Sequence, residues 1–215
     1  PLTYFFDGTG DWNVLSGSAN QGISIVKNGS GRLTLANAQS YQGTTTINTG
    51  ALRIANANAL GTTGSGTTVA GGTNTGRLEL SGGIAFAAEP LTLAGRSNPS
   101  NDSPHLANSG GNNTWTGAIT LSGGGSRYTV VSDDGTLSIT GNISHALGSN
   151  RVLYLGGAAD GVLTGALSTS NGTFEVIKEG AGRWELTSNA NTYNGGTTVT
   201  AGTLLANNTS GSATG

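Results

Sequence analysis

Runs of only three or four residues, each with every second residue apolar, recur along the whole chain. Examples are Arg32-Leu33-Thr34-Leu35, Ala51-Leu52-Arg53-Ile54, Arg77-Leu78-Glu79-Leu80, Leu91-Thr92-Leu93, Thr136-Leu137-Ser138-Ile139, Val152-Leu153-Tyr154-Leu155 and Arg183-Trp184-Glu185-Leu186. A period of two is that of a β-strand with one face buried. Gly, Asn and Ser fill the gaps and supply turns. The pattern predicts roughly 17 strands at about 12-residue spacing. That spacing alone permits a sandwich, a barrel or a solenoid.

Two features favour the solenoid. The inward residues are mostly Leu, Ile, Val, Ala and Thr, with only 6% aromatics, which suits ladders of mid-sized side chains in a narrow coil. The chain also repeats itself. Val26-Lys27-Asn28-Gly29-Ser30-Gly31-Arg32-Leu33-Thr34-Leu35 matches Ile177-Lys178-Glu179-Gly180-Ala181-Gly182-Arg183-Trp184-Glu185-Leu186. Tyr41-Gln42-Gly43-Thr44-Thr45-Thr46-Ile47 matches Tyr193-Asn194-Gly195-Gly196-Thr197-Thr198-Val199, and Gly50-Ala51-Leu52 matches Gly202-Thr203-Leu204. The register slips by one residue just before the Tyr. Such repetition marks stacked architectures. The expected fold is all-β: a right-handed single-stranded parallel β-helix (β-solenoid). Coils of about 20 to 25 residues give roughly nine to ten turns. Residues 1–22 are expected to form an aromatic cap segment and 23–215 the β-helix, with repeat copies near 26–54 and 176–206.

Composition removes whole classes of function. Gly, Thr, Ser and Asn make up just over half of the chain, so a helical bundle is disfavoured. Charged residues are 9% and the formal net charge is -2. The basic excess that nucleic acid requires is missing, and no apolar run is long enough to cross a bilayer as a helix. With no Cys there are no disulfides, thiolate zinc sites or thiol nucleophiles. Pro1-Leu2-Thr3-Tyr4 lacks a basic and an apolar leader region, which reads as a leader already removed or a fragment. The polar end Thr209–Gly215 reads as a cut.

Residues 176–206 closely resemble the autotransporter-associated β-strand repeat, also called the passenger-associated transport repeat. Lys178, Gly180, Gly182, Trp184, Leu186, the run Asn191–Val199 and Ala201–Leu204 carry the resemblance. Residues 26–54 resemble a second copy, with Leu33 at the Trp position and Gln42 in place of a small polar residue. Ala57–Gly61, Gly76–Leu80 and the opening Phe6–Asn13 are similar to other family segments. The resemblance implies a parallel β-helix in the exported portion of a Gram-negative surface or secreted protein. It implies a structural, export-promoting element with no catalytic residues to carry over.

Candidate sites each meet a plainer reading. Asp133-Asp134-Gly135 offers paired carboxylates for Ca²⁺ or lyase chemistry, but is also a common turn. Gly156–Gly161, with Asp160, is similar to a calcium-binding nonapeptide but lacks its third glycine and does not repeat. Asp7, Asp11 and Trp12 suit sugar stacking; the alternative is a cap in which Tyr4, Phe5, Phe6 and Trp12 cover the first coil. Asp102, Ser103 and His105 hint at hydrolysis, yet near-consecutive residues rarely form a triad. Their segment is expected to be a protruding loop, and His145 to lie in another turn. Glu175, Glu179 and Glu185 near Lys178 and Arg183 read as solvated pairs. The seven Arg and two Lys lie at wide intervals, which speaks against a lyase. No catalytic, cofactor or metal residue is therefore assigned. The expected function is a non-enzymatic extracellular scaffold. The alternatives are end-to-end stacking of copies into a fibre or sheath, and a glycan-binding adhesin or polysaccharide-active enzyme, for which Tyr41 and Tyr193 are sugar-reading candidates.

Overall fold

A computed structural model describes residues 2–14, 22–97, 103–212 and 214. The chain winds as a parallel β-solenoid of about eight turns, without α-helix among the described residues. The opening coils carry two strands each: β1 (Leu2–Phe6) and β2 (Trp12–Val14), then β3 (Ile23–Lys27) and β4 (Arg32–Leu35), then β5 (Thr45–Ile47) and β6 (Ala51–Ile54). From the fourth coil a third side appears: β7 (Thr67–Val69), β8 (Arg77–Leu80), β9 (Ala85–Phe86). It persists through β10 (Leu91–Ala94), β11 (Leu106–Ser109), β12 (Asn113–Trp115) and β13 (Ile119–Ser122), β14 (Arg127–Asp134), β15 (Leu137–Ile139). The next coils are β16 (Ile143–His145), β17 (Arg151–Gly156), β18 (Gly161–Leu163) and β19 (Leu167–Thr169), β20 (Phe174–Lys178), β21 (Arg183–Leu186). The last strands are β22 (Thr197–Val199) and β23 (Thr203–Ala206).

Stacking gives three sheets. The first runs β1-β3-β5-β7-β10-β13-β16-β19, the second β2-β4-β6-β8-β11-β14-β17-β20-β22, and the third β9-β12-β15-β18-β21-β23. Every named strand pair is parallel, so each coil bonds to the coils above and below it. The all-β stacked expectation holds, with two differences in count. There are about eight turns because coil length is uneven: 19 residues separate Leu33 from Leu52, but 28 separate Leu91 from Ile119. There are 23 strands among the described residues because many strands of the third side span only two or three residues. Alternation cannot register in so short a run.

Alternation puts one residue of each strand into a shared interior column. In the second sheet the column reads Trp12, Leu33, Leu52, Leu78, Leu106, Val130, Leu155, Lys178, Val199. From Leu33 to Lys178 these side chains are fully buried. The outer side of the first sheet carries a different column: Thr46, Thr68, Thr92, Thr120, Ser144 and Ser168 lie in register on six successive coils.

Candidate functional site

The two sequence repeats build the same corner twice. In both, a strand ends on a lysine, the chain turns through a glycine at positive φ (Gly29, Gly180), and the Arg strand follows. Lys27 is 1% exposed and Lys178 0%. The Lys178 ammonium donates to the carbonyls of Glu179 (2.5 Å), Gly180 (2.8 Å) and Ala201 (3.1 Å). Lys27 donates likewise to Asn28, Gly29 (2.9 Å) and Thr49 (3.3 Å). Three N–H bonds satisfy three carbonyls, two in the lysine's own corner and one in the next coil. Burial lowers both lysine pKa values, and the charges of Asp7 and Glu179 oppose this. A glycine must follow in the next coil: a Cβ on Gly50 or Gly202 would lie 2.8 or 2.7 Å from the ammonium nitrogen, and both have positive φ.

The matching tyrosines are buried core, each bonded to a threonine four residues on: Tyr41 to Thr45 at 2.5 Å and Tyr193 to Thr197 at 2.6 Å. They are not exposed sugar-reading groups. Asp11, weighed for sugar binding, and Asp160, weighed for calcium, play a matched part as well. Each accepts from the backbone N–H that opens the repeat's Arg strand, at Arg32 (3.0 Å) and Arg183 (3.2 Å).

The repeats differ in orientation. The first turns from the first sheet (β3, β5) to the second (β4, β6), whereas the other turns from the second (β20, β22) to the third (β21, β23). One motif thus forms one kind of corner, rotated by one side of the solenoid.

The winding also gathers residues that are far apart in sequence. Arg32, Arg53 and Arg77, one coil apart, converge on Glu79: their Nε atoms lie 2.9, 3.1 and 2.7 Å from its carboxylate. Burial pushes the Glu79 pKa up, but the hydrogen bonds and charges of Arg77 and Arg32 outweigh it and hold the carboxyl below its usual range. Spacing along the sequence hides this cluster. Glu179 pairs with Arg127 at 3.1 Å, two coils away, and Glu185 with Arg183 at 2.6 Å; Glu175 lies on the outer side of β20.

His145 lies in a strand and not in the expected turn, while the loop expected around His105 falls largely on residues 98–102, outside the described residues. His105 precedes β11 and is fully buried: its Nε2 donates to the Ala94 carbonyl (2.9 Å) and its Nδ1 accepts from the Thr129 N–H (3.1 Å). Burial and the nearby Arg96 charge push its pKa down to about 3. Both nitrogens are committed, so it is no catalytic base. Asp102 lies outside the described residues, and the Ser103 hydroxyl donates to the Thr75 carbonyl at 2.9 Å. His145 ends β16, is 3% exposed and meets Phe174 edge-on at 5.1 Å. Asp133 and Asp134 close β14 before the Gly135 turn, where the Asp134 carbonyl accepts from Asn108 at 2.6 Å. Among the described residues no three His, Cys, Asp or Glu side chains gather to hold a metal.

Two further buried charged groups escaped sequence reasoning. Glu89 is 4% exposed, bonds to Thr67 at 3.1 Å, and is pushed up to about 7 by burial. Arg96 is 1% exposed and lowered to about 10 by burial and by the charges of Arg127 and Arg77. Both precede or follow glycine, proline or alanine-rich turns, where no alternation marks inward positions.

No curated protein and no solved structure matches the chain. Residues 25–54 and 176–206 match the family described as passenger-associated-transport-repeat. These two stretches, similar to that family, are the lysine-capped corners with their following coils, one towards each end of the coil stack.

Proposed function

We propose that the chain is a non-enzymatic scaffold: a right-handed, passenger-type β-helical segment displayed or secreted outside a Gram-negative cell. The observation that carries this reading is the pairing of two matched repeats with one continuous coil stack. A right-handed path is the usual hand for parallel strands joined through a crossover. The matched polar residues are spent on the coil itself: the repeats' lysines close corners, their tyrosines fill the core, and Asp11 and Asp160 of the preceding coils cap the repeats' Arg strands. Repeated backbone pairing supplies stiffness, and the repeats supply strong local folding units for a chain emerging from a membrane pore.

The test is display. With the chain fused to an outer-membrane translocator, protease added to intact cells should remove it. Deleting residues 176–206 should lower the surface yield several-fold. Retention behind the outer membrane overturns the reading, and so does export that is indifferent to the repeat.

One observation favours a second reading, adhesion to a neutral glycan. The Thr46-to-Ser168 hydroxyl column lies on a side whose register positions carry no charge. A glycan array with the wild-type chain and Thr92→Lys separates the readings. A scaffold binds nothing on the array, and an adhesin loses a discrete set of sugars in the variant.

A further inference from the structure

The three arginines around Glu79 spend few of their hydrogen-bond donors on it. Arg32 and Arg77 share an outer column of the second sheet, two coils apart, with Ala51 between them; Arg53 and Glu79 share the next column on adjacent coils. The small Ala51 leaves room for the long side chains to lean across. All three arginines reach the carboxylate by the same atom, Nε, at 2.9, 3.1 and 2.7 Å. Glu79 is buried beneath them, whereas their own side chains are 32, 31 and 34% exposed. Among the described residues the terminal nitrogens of Arg53 and Arg77 meet no acceptor, and those of Arg32 meet one, Asp11 at 3.5 Å. Charge points the same way. The buried Arg96 donates to the carbonyl of Gly76, the residue before Arg77, and its charge reaches Arg77. Four cations thus face three carboxylates: Glu79, Asp11 and, through space, Asp133.

We propose that this cluster binds a sulfate or phosphate group, with the terminal nitrogens of Arg53 and Arg77 as its ligands and Glu79 as the residue that positions them. A guanidinium held by its Nε keeps its terminal N–H edge for a second partner, and that planar edge matches two oxygens of an oxyanion at once. Side chains already fixed by Glu79 lose little further freedom when the group arrives. The number of oxygens discriminates among ligands. A tetrahedral oxyanion has oxygens for both forks, a carboxylate has enough for one, and a neutral sugar brings no charge to match the excess cation. The cluster lies on the second sheet, apart from the hydroxyl column of the first, so it takes a different ligand from the neutral glycan considered above. It rests on the side chains of three coils and not on the place of display, so its failure leaves the export reading standing, and the reverse also holds.

NMR of the 215-residue chain tests it through the Nε–H signals of Arg32, Arg53 and Arg77, which the bonds to Glu79 protect from exchange. Sodium sulfate is titrated in while sodium chloride is lowered to hold ionic strength constant. The signals should move and saturate in the millimolar range. Arg53→Gln and Arg77→Gln should each weaken the binding about tenfold, with circular dichroism confirming that each variant keeps its β spectrum. Arg183→Gln, on the third sheet, should leave it unchanged. A sulfated oligosaccharide and its desulfated form separate the sources of the group. Tighter binding of the sulfated sugar than of sulfate assigns an ester on a polysaccharide as the occupant, and equal affinity assigns the free ion. Signals that drift without saturating overturn the proposal. So does binding that survives both substitutions, or a desulfated sugar that binds as well as the sulfated one. If a glutamine variant loses its β spectrum, Arg53→Lys, which keeps the charge and loses the fork, replaces it under the same criteria.

Discussion

Glu89 gives the fold a pH dependence that reaches up to neutrality. Its pKa in the fold is about 7 against an ordinary 4.5, because burial disfavours the charged carboxylate. A raised acid binds its proton more tightly in the folded chain than in the unfolded one. Its contribution is therefore intact below about pH 4.5 and fades as pH rises through about 7. Glu89→Gln should remove this dependence. The stability difference between variant and wild type should grow by about 1–3 kcal/mol from pH 4.5 to 8 and then level off, as read by urea melts. His105 acts in the opposite sense, since a histidine lowered to about 3 costs stability as pH falls below its ordinary 6.5; it is common to both proteins and cancels in the difference. The corner lysine makes a sharper case. Lys178→Met leaves three carbonyls without their ammonium donor, and chemical denaturation should show a loss of about 2–4 kcal/mol. Lys178→Arg, whose planar fork cannot place three donors in the same pocket, should not restore it.

At the scale of strands, the second sheet gathers its arginines through the coil period. Glu79 ties β4, β6 and β8 together, being shared by Arg32, Arg53 and Arg77. Glu79→Gln removes the negative charge and leaves three guanidinium groups facing one another. A loss of about 1–3 kcal/mol is expected, reduced by the partial exposure of the arginines. Glu185→Gln, which breaks one exposed pair, should cost less than about 1 kcal/mol. Thermal melts of both variants at two salt concentrations would rank them. Strands such as Arg32–Leu35 and Arg183–Leu186 were legible because their four residues alternate, and the repeats because Lys, Gly and Tyr recur in order. In the third sheet Leu137–Ile139 and Arg183–Leu186 were legible, but Ala85–Phe86 and Gly161–Leu163 were not, being too short to show a period. Nor was the Glu79 cluster, because its members meet through coil length, which varies from 19 to 29 residues and is written in no single segment. Asp160 stood as a calcium candidate for a related reason: a carboxylate next to a glycine reads alike whether it holds an ion or the N–H of the coil above.

The whole molecule is a stack in which each coil meets only its neighbours, so coils should be removable as units. Ile143 lies over Leu167, so residues 143–166 make one turn. Excising them should leave a folded, shorter chain with an unchanged β spectrum. Excising residues 143–154 instead shifts every interior column and should prevent cooperative melting. The three sides of the stack are not equally long. Among the described residues the third sheet starts at β9, so strands lace the opening coils on two sides and the coils from β7 to β21 on three. A stack built this way has a direction of wear. Heat, shear or a protease should open it from the two-sided end first, and fragments surviving harsh treatment should share a common, three-sided carboxyl-terminal remainder.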